Sequence, residues 1–337
     1  MGRGILLHVV LLAVAACASM LVWTRDKKAV VSAGDVTVWN VRAADVDRIA
    51  LETKSRKVSL EARKDAQGRW FLGTSETQSP HASDGGAPPA PRVIPFVSVA
   101  QAEKVAEGLA PLKALREVGR IGDDRAVEFG LKDPEGTLSV GVSGNVRRLT
   151  LGGRTPGGGE RYVRDDGTGT VYVVKGEVTR DLESGEGQLT ERDLHAFKDT
   201  DIESIRVLAR GKTRPVLRRG PEAKRIWADP SDPEKADETA SNWVAKVDRL
   251  RPIEYLNPQP NAPEIVVRIE YMAKGAPGAF LELAKFPPAA PAAPPPGTPP
   301  PPDKPEFAVR TEHTRQWAKV YAPAAEQVEQ DLASVLR

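Results

Sequence analysis

The sequence predicts an α+β fold made of two tandem copies of one mixed unit, antiparallel sheet with covering helices, behind an N-terminal membrane helix. Three observations predict it: the same order of strands and helices occurs twice, the strands alternate apolar and polar residues, and the N-terminus is a long uncharged run. The first copy is predicted over residues 36–195 and the second over residues 198–337. A repeat of roughly 140 residues is too long for a solenoid unit and is typical of a duplicated globular domain.

Each copy is predicted to hold three strands, a helix, four more strands and a closing helix. In the first copy these elements are Val46–Leu51, Lys57–Glu61, Gly68–Phe71, the helix Ala102–Leu115, Pro134–Val140, Leu149–Leu151, Arg161–Arg164, Val171–Val173 and a helix from Glu177. In the second copy they are Ile202–Val207, Pro215–Arg218, Arg225–Trp227, the helix Ala236–Leu250, Pro263–Ile269, Leu281–Leu283, Phe307–Arg310, Lys319–Tyr321 and a helix from Ala324.

The alternation of residues also predicts which groups are buried. Arg48 to Thr53 places apolar and polar side chains on opposite faces, as a sheet with one solvated side requires. The two central helices carry an apolar stripe that can cover such a sheet. Trp70 and Trp227 occupy equivalent places near the third strand of each copy, and this symmetry favours burial in the core over exposed binding aromatics.

Two stretches interrupt the pattern inside the copies. Gly73 to Pro95 is rich in Ser, Gly and Pro, and Pro287 to Pro305 is dominated by Pro and Ala. Neither buries enough apolar surface to fold alone, so both are predicted to be insertions between strands. The second is predicted to be an extended polyproline-like spacer, with a ligand for a partner's groove as the alternative.

Composition limits the partners and the chemistry. The chain has 337 residues, with 48 Lys and Arg against 46 Asp and Glu, for a net charge of +2. With no strong overall field, a nucleic-acid partner is not expected. Cys17 is the single cysteine, so no intramolecular disulfide can form.

The N-terminus is predicted to engage a membrane. Gly4 to Trp23 carries no formal charge, and roughly 20 helical residues span about 30 Å, the thickness of a bilayer's hydrocarbon core. An uncleaved anchor within residues 1–28 is favoured. Because Val14-Ala15-Ala16-Cys17 resembles a lipobox, Cys17 is also a candidate lipidation site, and a cleaved signal is the third alternative.

The basic residues around the anchor leave its orientation open. Arg25, Lys27 and Lys28 after the apolar run outnumber Arg3 and the amino terminus before it, which by itself favours a cytoplasmic body. An exported body is nevertheless preferred, because short N-terminal anchors of envelope proteins behave like uncleaved signal sequences. The predicted location is the bacterial inner membrane, with one span and a periplasmic body.

Several motifs in the first copy occur in a characteristic order. Phe129-Gly130-Leu131 lies in the segment Arg125–Pro134, and Leu151-Gly152-Gly153-Arg154-Thr155-Pro156, Arg161–Arg164 and Val171–Val173 follow it. Together they resemble bacterial proteins that contain domain of unknown function 4340, over about residues 45–230. The resemblance implies one N-terminal membrane segment, an extracytoplasmic body and an accessory role beside components of an ABC-type transport system. It supplies no catalytic residues.

The residues themselves show little catalytic chemistry. The histidines, His8, His81, His195 and His313, share no metal-ligand spacing, and no catalytic, cofactor-binding or metal-binding residue is predicted. Glu191–His195 is the densest ionisable cluster and is interpreted as a solvated junction between the copies, with acid/base chemistry as the alternative.

Two further motifs have structural interpretations. The glycine-rich run Gly152–Gly159 lacks the Gly-Lys-Ser/Thr ending of a phosphate loop and predicts a hairpin tip. The basic run Arg210–Arg214 predicts the wet face of a strand pair, with contact to anionic headgroups or cell-wall polymer as the alternative.

The function predicted from the sequence is a membrane-tethered, extracytoplasmic, non-enzymatic accessory or interaction protein, associated with ABC transporter subunits, with no cofactor. The alternative is a solute- or glycan-binding envelope module that uses the cleft between the two copies. An enzyme acting on cell-envelope polymers ranks third. The oligomeric state is left open.

Overall fold

The computed structural model describes residues 36–77, 91–221, 225–257, 262–287 and 305–337. Over these residues the chain is a sheet-rich α+β protein with antiparallel sheets and six α-helices. The predicted anchor at residues 1–28, with Cys17, lies outside the described residues. Among the helices that the structure describes, none is long and apolar enough to cross a membrane.

Nine antiparallel strands form the first sheet. They are β2 (Val46–Thr53), β3 (Arg56–Asp65), β4 (Gly68–Thr77), β5 (Arg92–Ser98), β7 (Arg116–Arg120), β8 (Gly136–Val142), β9 (Asn145–Arg154), β10 (Glu160–Asp165) and β11 (Thr170–Lys175). Their order across the sheet is β5-β4-β3-β2-β8-β9-β10-β11-β7. A separate pair joins β1 (Val36–Trp39) to β6 (Leu112–Ala114).

Eight antiparallel strands form the second sheet. They are β12 (Ile202–Ala209), β13 (Lys212–Arg219), β14 (Ile226–Ala228), β15 (Glu254–Tyr255), β16 (Glu264–Ala273), β17 (Ala279–Phe286), β18 (Glu306–Thr311) and β19 (Ala318–Lys319). Their order is β14-β13-β12-β16-β17-β18-β19-β15. The predicted alternation holds in the strands where it is strongest: in β2, Ile49 and Leu51 are buried while Arg48 and Glu52 are exposed.

Helices cover one face of each sheet. They are α1 (Ala100–Leu109), α2 (Asp123–Ala126), α3 (Glu177–Ser184), α4 (Glu186–Leu189), α5 (Glu238–Val247) and α6 (Ala322–Val335). Val105 and Leu109 of α1 belong to the core of the first sheet. In the second core, the Trp243 indole Nε1 of α5 donates a hydrogen bond to the Val328 carbonyl of α6 at 2.9 Å, which joins the two covering helices.

The two central helices are shorter than predicted. The first was expected over residues 102–115, but it ends at Leu109, because Ala110 precedes Pro111 and is extended, and a residue before proline disfavours the helical region. Leu112 fits the apolar stripe of the predicted helix but instead lies in β6. The second helix was expected over residues 236–250 and spans Glu238–Val247, with the Asp237 side chain accepting from the Ala240 backbone N–H at its start.

The two predicted tryptophan positions are confirmed as core. Trp70 in β4 is 8% exposed and Trp227 in β14 is 4% exposed. The predicted insertions need correction at their ends, because the strands extend into them. β4 continues to Thr77 and β5 begins at Arg92, so residues 73–77 and 92–95 of the first insertion are strand and 78–90 lie outside the described residues. Residues 288–304 of the second likewise lie outside them.

Candidate binding cleft between the two sheets

A cleft of about 560 Å³ lies where the two sheets meet. Its walls come from the start of α1, from α4 and the segment that follows it, and from the turn between β18 and β19. The polar side chains on these walls are Gln101, Gln188, Thr190, Glu191, Arg192, Asp193, His195 and His313. The cleft therefore collects groups that are far apart in the sequence.

The segment after α4 is held by both sheets. The Glu191 backbone N–H donates to the Val97 carbonyl of β5 at 2.7 Å. The Glu191 carbonyl in turn accepts from the Tyr255 hydroxyl of β15 at 2.9 Å. Tyr255 is only 3% exposed and packs in the core of the first sheet, although its strand belongs to the second. One residue thus carries a backbone contact to each sheet.

Glu191 and His313 form an ion pair at the cleft wall. The Glu191 Oε2 and His313 Nε2 atoms are 3.3 Å apart, and both side chains are about nine-tenths buried, at 11% and 12% exposed. Burial alone raises the pKa of the Glu191 carboxyl, but the hydrogen bond and charge of His313 and the backbone N–H groups of Asp193 and Arg192 outweigh it and hold the pKa below its usual 4.5. Glu191 is therefore ionised at neutral pH.

A second histidine–glutamate pair lies beside the first. The His195 Nδ1 and Glu312 Oε1 atoms are 2.8 Å apart, and Glu312 Oε2 accepts from the Phe280 backbone N–H at 2.9 Å. The His195 ring stacks on Phe197 with centroids 4.5 Å apart and meets the edge of Tyr271 at 4.7 Å. A carboxylate oxygen can only accept, so the contact with Glu312 requires a hydrogen on His195 Nδ1. His195 Nε2 has no hydrogen-bond partner among the described residues.

A hydrogen-bonded turn positions His313. The Thr311 hydroxyl donates to the Leu194 carbonyl at 2.6 Å, and it accepts from the His313 and Thr314 backbone N–H groups. Thr311 and Thr314 are fully buried. The turn of the second sheet is thereby fixed directly to the segment between the sheets, and His313 has little freedom to move.

The structure corrects the interpretation of the ionisable cluster. Arg192 and Asp193 are exposed, as a solvated junction requires, but Glu191 and His195 are only 11% and 13% exposed and pair with His313 and Glu312, which lie far along the chain. Two of the four histidines lie together here. Even so, no group of three or more His, Cys, Asp or Glu side chains within the described ranges is arranged to hold a metal ion.

Glu312, Tyr255 and Tyr271 were missed by sequence reasoning. Each lies far along the chain from its partner: 117 residues separate Glu312 from His195, and 64 separate Tyr255 from Glu191. No local spacing marks these residues, since their neighbours in the sequence belong to ordinary strands and turns. Burial raises the pKa of both tyrosine hydroxyls well above the usual 10, so both remain protonated donors.

The glycine-rich run and the basic run are structural. Residues 155–159 connect β9 to β10, which confirms the predicted hairpin. Arg154 pairs with Glu183 at 3.3 Å, so it is used within the fold. Arg214 pairs with Asp237 and with Asp229, and it donates to the Val335 carbonyl of α6. Arg214 is thus not part of an open basic surface.

The motifs that carry the family resemblance pack against one another. The Gly153 backbone N–H donates to the Phe129 carbonyl at 2.9 Å. Gly130 has φ +66°, and a Cβ there would lie 2.6 Å from the Gly153 nitrogen, so only glycine fits this approach. The Phe129 and Tyr162 rings meet with centroids 4.7 Å apart. These motifs therefore encode packing in the first sheet and do not reach the cleft.

The architecture and cleft define a sheet-rich α+β protein with two antiparallel sheets joined by a polar, buried junction. Residues 97–266, about half of the chain, match the family described as Domain of unknown function (DUF4340), and the chain belongs to this family. No curated protein and no solved structure matches the chain.

Proposed function

We propose that this protein is a membrane-tethered, extracytoplasmic and non-enzymatic accessory protein that binds subunits of an ABC-type transport system in the bacterial inner membrane. The apolar run Gly4–Trp23 supports the tether, and the resemblance to the family supports the accessory role. The observation that carries the proposal is the junction, because its contacts hold the two sheets against each other. A body held together in this way on a tether can present a fixed surface to a partner.

The junction rests on contacts between the sheets. Besides the hydrogen bond from Tyr255, Arg315 after β18 pairs with Asp65 of β3 at 3.2 Å. The Arg315 side chain is 9% exposed. A buried guanidinium that loses the one acid partner it has within the described residues is costly, so the two sheets resist separation.

We also infer that the two sheets are copies of one unit, at residues 36–195 and 198–337. The strand order β4-β3-β2-β8-β9-β10-β11-β7 corresponds, position by position, to β14-β13-β12-β16-β17-β18-β19-β15. In the sequence, α1 comes after β4 and β5, and α5 comes after β14, so each helix follows the strand that stands first in this order. α3 follows β11, and α6 follows β19. β5 is an extra edge strand of the first unit, and it lies where the second unit's β15 contacts the first.

The proposed partner can be tested by crosslinking in native membranes. The full chain and a variant that lacks residues 1–28 are expressed as equal amounts of tagged bait, crosslinked, and purified in mild detergent. We expect transporter subunits to be recovered with the full chain and to be lost with the truncated variant. Equal bait recovery with no transporter subunit in either sample contradicts the proposal.

A second candidate function is binding of a solute or glycan in the cleft. The 560 Å³ cleft, with an ionised carboxylate, imidazoles, amides and a hydroxyl on its walls, favours a ligand rich in hydroxyl groups. A panel of sugars and cell-wall fragments should then raise the melting temperature in a saturable manner. Gln101→Ala should abolish the rise, and Gln327→Ala, an equally exposed glutamine on α6, should retain it. No shift with any ligand contradicts this function.

A further inference from the structure

A groove on the first sheet carries four exposed cations. It has a volume of about 700 Å³ and lies between α1, α3 and β6. Lys104, Lys113, Lys175 and Arg180 line it, and we name these four residues the cationic groove. We propose that the cationic groove rests on the anionic phospholipid headgroups of the membrane that holds the tether. This inference depends on the proposed tether and assigns the face of the body that lies on the bilayer.

The charges of the groove are available for contact with phosphate. Lys104, Lys113 and Arg180 make no ion pair within the described residues, and only Lys175 has an acid partner, Glu177, at 3.8 Å. Glu107, Glu177 and Asp181 also line the groove, so four cations face three acids. The unpaired cations favour an anionic surface as the occupant.

The path of the chain places the groove near the bilayer. β1 starts at Val36 and pairs with β6, where Thr37 lies opposite Lys113. Paired strands have Cα atoms roughly 5 Å apart, so Lys113 lies beside the point at which the chain enters the body. Only seven residues, and so eight Cα–Cα steps, separate Lys28, the end of the predicted anchor, from Val36. They reach at most about 29 Å when fully extended.

The shape of the groove also suits a headgroup. Besides the cations, the groove is lined by the apolar residues Val105, Pro111, Leu115 and Val178. A phosphate can be contacted by the cations while the glycerol and upper acyl carbons lie against the apolar residues. A free small anion would use only the charged half of such a surface.

The proposal is tested with the full chain reconstituted into vesicles of phosphatidylcholine and phosphatidylglycerol that contain a headgroup-labelled quencher. Cys17→Ser removes the natural thiol, and a fluorophore is attached at Lys113→Cys or, as the matched control, at Lys212→Cys. Lys212 is also exposed and lies in β13, near the far edge of the second sheet. Flotation of the vesicles reports the tether separately.

We expect the chain to float with the vesicles and the probe at position 113 to be quenched severalfold more than the probe at position 212. Charge reversal by Lys104→Glu with Arg180→Glu should lower quenching at position 113 to the control level. As the control, charge reversal by Arg210→Glu with Lys212→Glu should leave the quenching of the probe at position 113 unchanged. Flotation with equal quenching at both positions overturns the proposed face and leaves the tether intact, whereas failure of both the unaltered chain and the Cys17→Ser chain to float overturns both.

Discussion

The hydroxyl of Tyr255 tests whether the junction holds the two sheets together. Tyr255→Phe removes one oxygen and retains a ring that is 3% exposed in the core of the first sheet, so no cavity forms. The oxygen donates to the Glu191 carbonyl at 2.9 Å. Without it, this partly buried carbonyl is left without a donor from the second sheet.

The expected loss of stability is about 1–3 kcal/mol, the cost of leaving one buried acceptor unsatisfied. We place it in the lower half of that range because the Glu191 carbonyl is only partly buried. Burial, with a contribution from the nearby Glu191 charge, raises the pKa of Tyr255 well above 10. The hydroxyl therefore stays protonated, and the loss should be the same at pH 6 and pH 9.

The assay is denaturant unfolding of the full chain in mild detergent, followed by tryptophan fluorescence. Trp70 reports on the first sheet, and Trp227 and Trp243 report on the second. Tyr321→Phe is the control, because that side chain is 66% exposed and should tolerate the change. Equal stability of Tyr255→Phe and the unaltered chain would refute the reasoning, since the hydroxyl would then contribute nothing to the junction.

Three further changes have predicted outcomes in the same unfolding assay. Glu191→Gln should weaken the decrease of the free energy of unfolding at acid pH. The lowered pKa of Glu191 gives stability that is present above about pH 4.5 and is lost as the pH falls through the folded pKa. Burial, followed by the Asp199 charge, raises the pKa of Asp248 to about 6. The stability that protonated Asp248 contributes is therefore fully present below pH 3.8 and is lost as the pH rises through 6. Asp248→Asn should remove this loss. Arg161→Met should cost about 1–3 kcal/mol, because it removes a 5% exposed guanidinium from Glu183 and Glu135, which are only partly exposed. Arg154→Met removes a guanidinium that is 58% exposed and should cost about 0–1 kcal/mol. An unchanged pH profile, or equal effects of the two arginine changes, contradicts the corresponding prediction.

Local patterns were sufficient for most strands and for the core tryptophans. Ile49 and Leu51 alternate with charged residues, so their burial follows from the two-residue period of a strand alone. The same kind of pattern was misleading at Leu112, which continues the helical stripe of Val105 and Leu109. The helix ends at Leu109 because Ala110 precedes Pro111 and is extended. Leu112 has the spacing of the helical stripe only by coincidence, since it lies in β6.

The candidate site could not be predicted in the same way. Sequence reasoning singled out Glu191–His195, because charge density is visible along the chain, but it interpreted the segment as solvated. The residues that bury it, Glu312 and His313, follow a strand whose own pattern is ordinary. Their role depends on which turn of the second sheet faces the junction.

By itself the sequence determined the α+β class, the family and the order of most of the longer strands, because each depends on residues that are neighbours along the chain. The short strands β1, β6, β7 and β15, the edge strand β5 and the short helices α2 and α4 were not predicted. Only the tertiary structure decided that two histidine–glutamate pairs are buried between the sheets, and that Tyr255 of one sheet lies in the core of the other. The physical reason is that a hydrogen bond needs two groups within about 3 Å of each other. Residues 64 and 117 positions apart reach that distance only when both sheets have folded and packed.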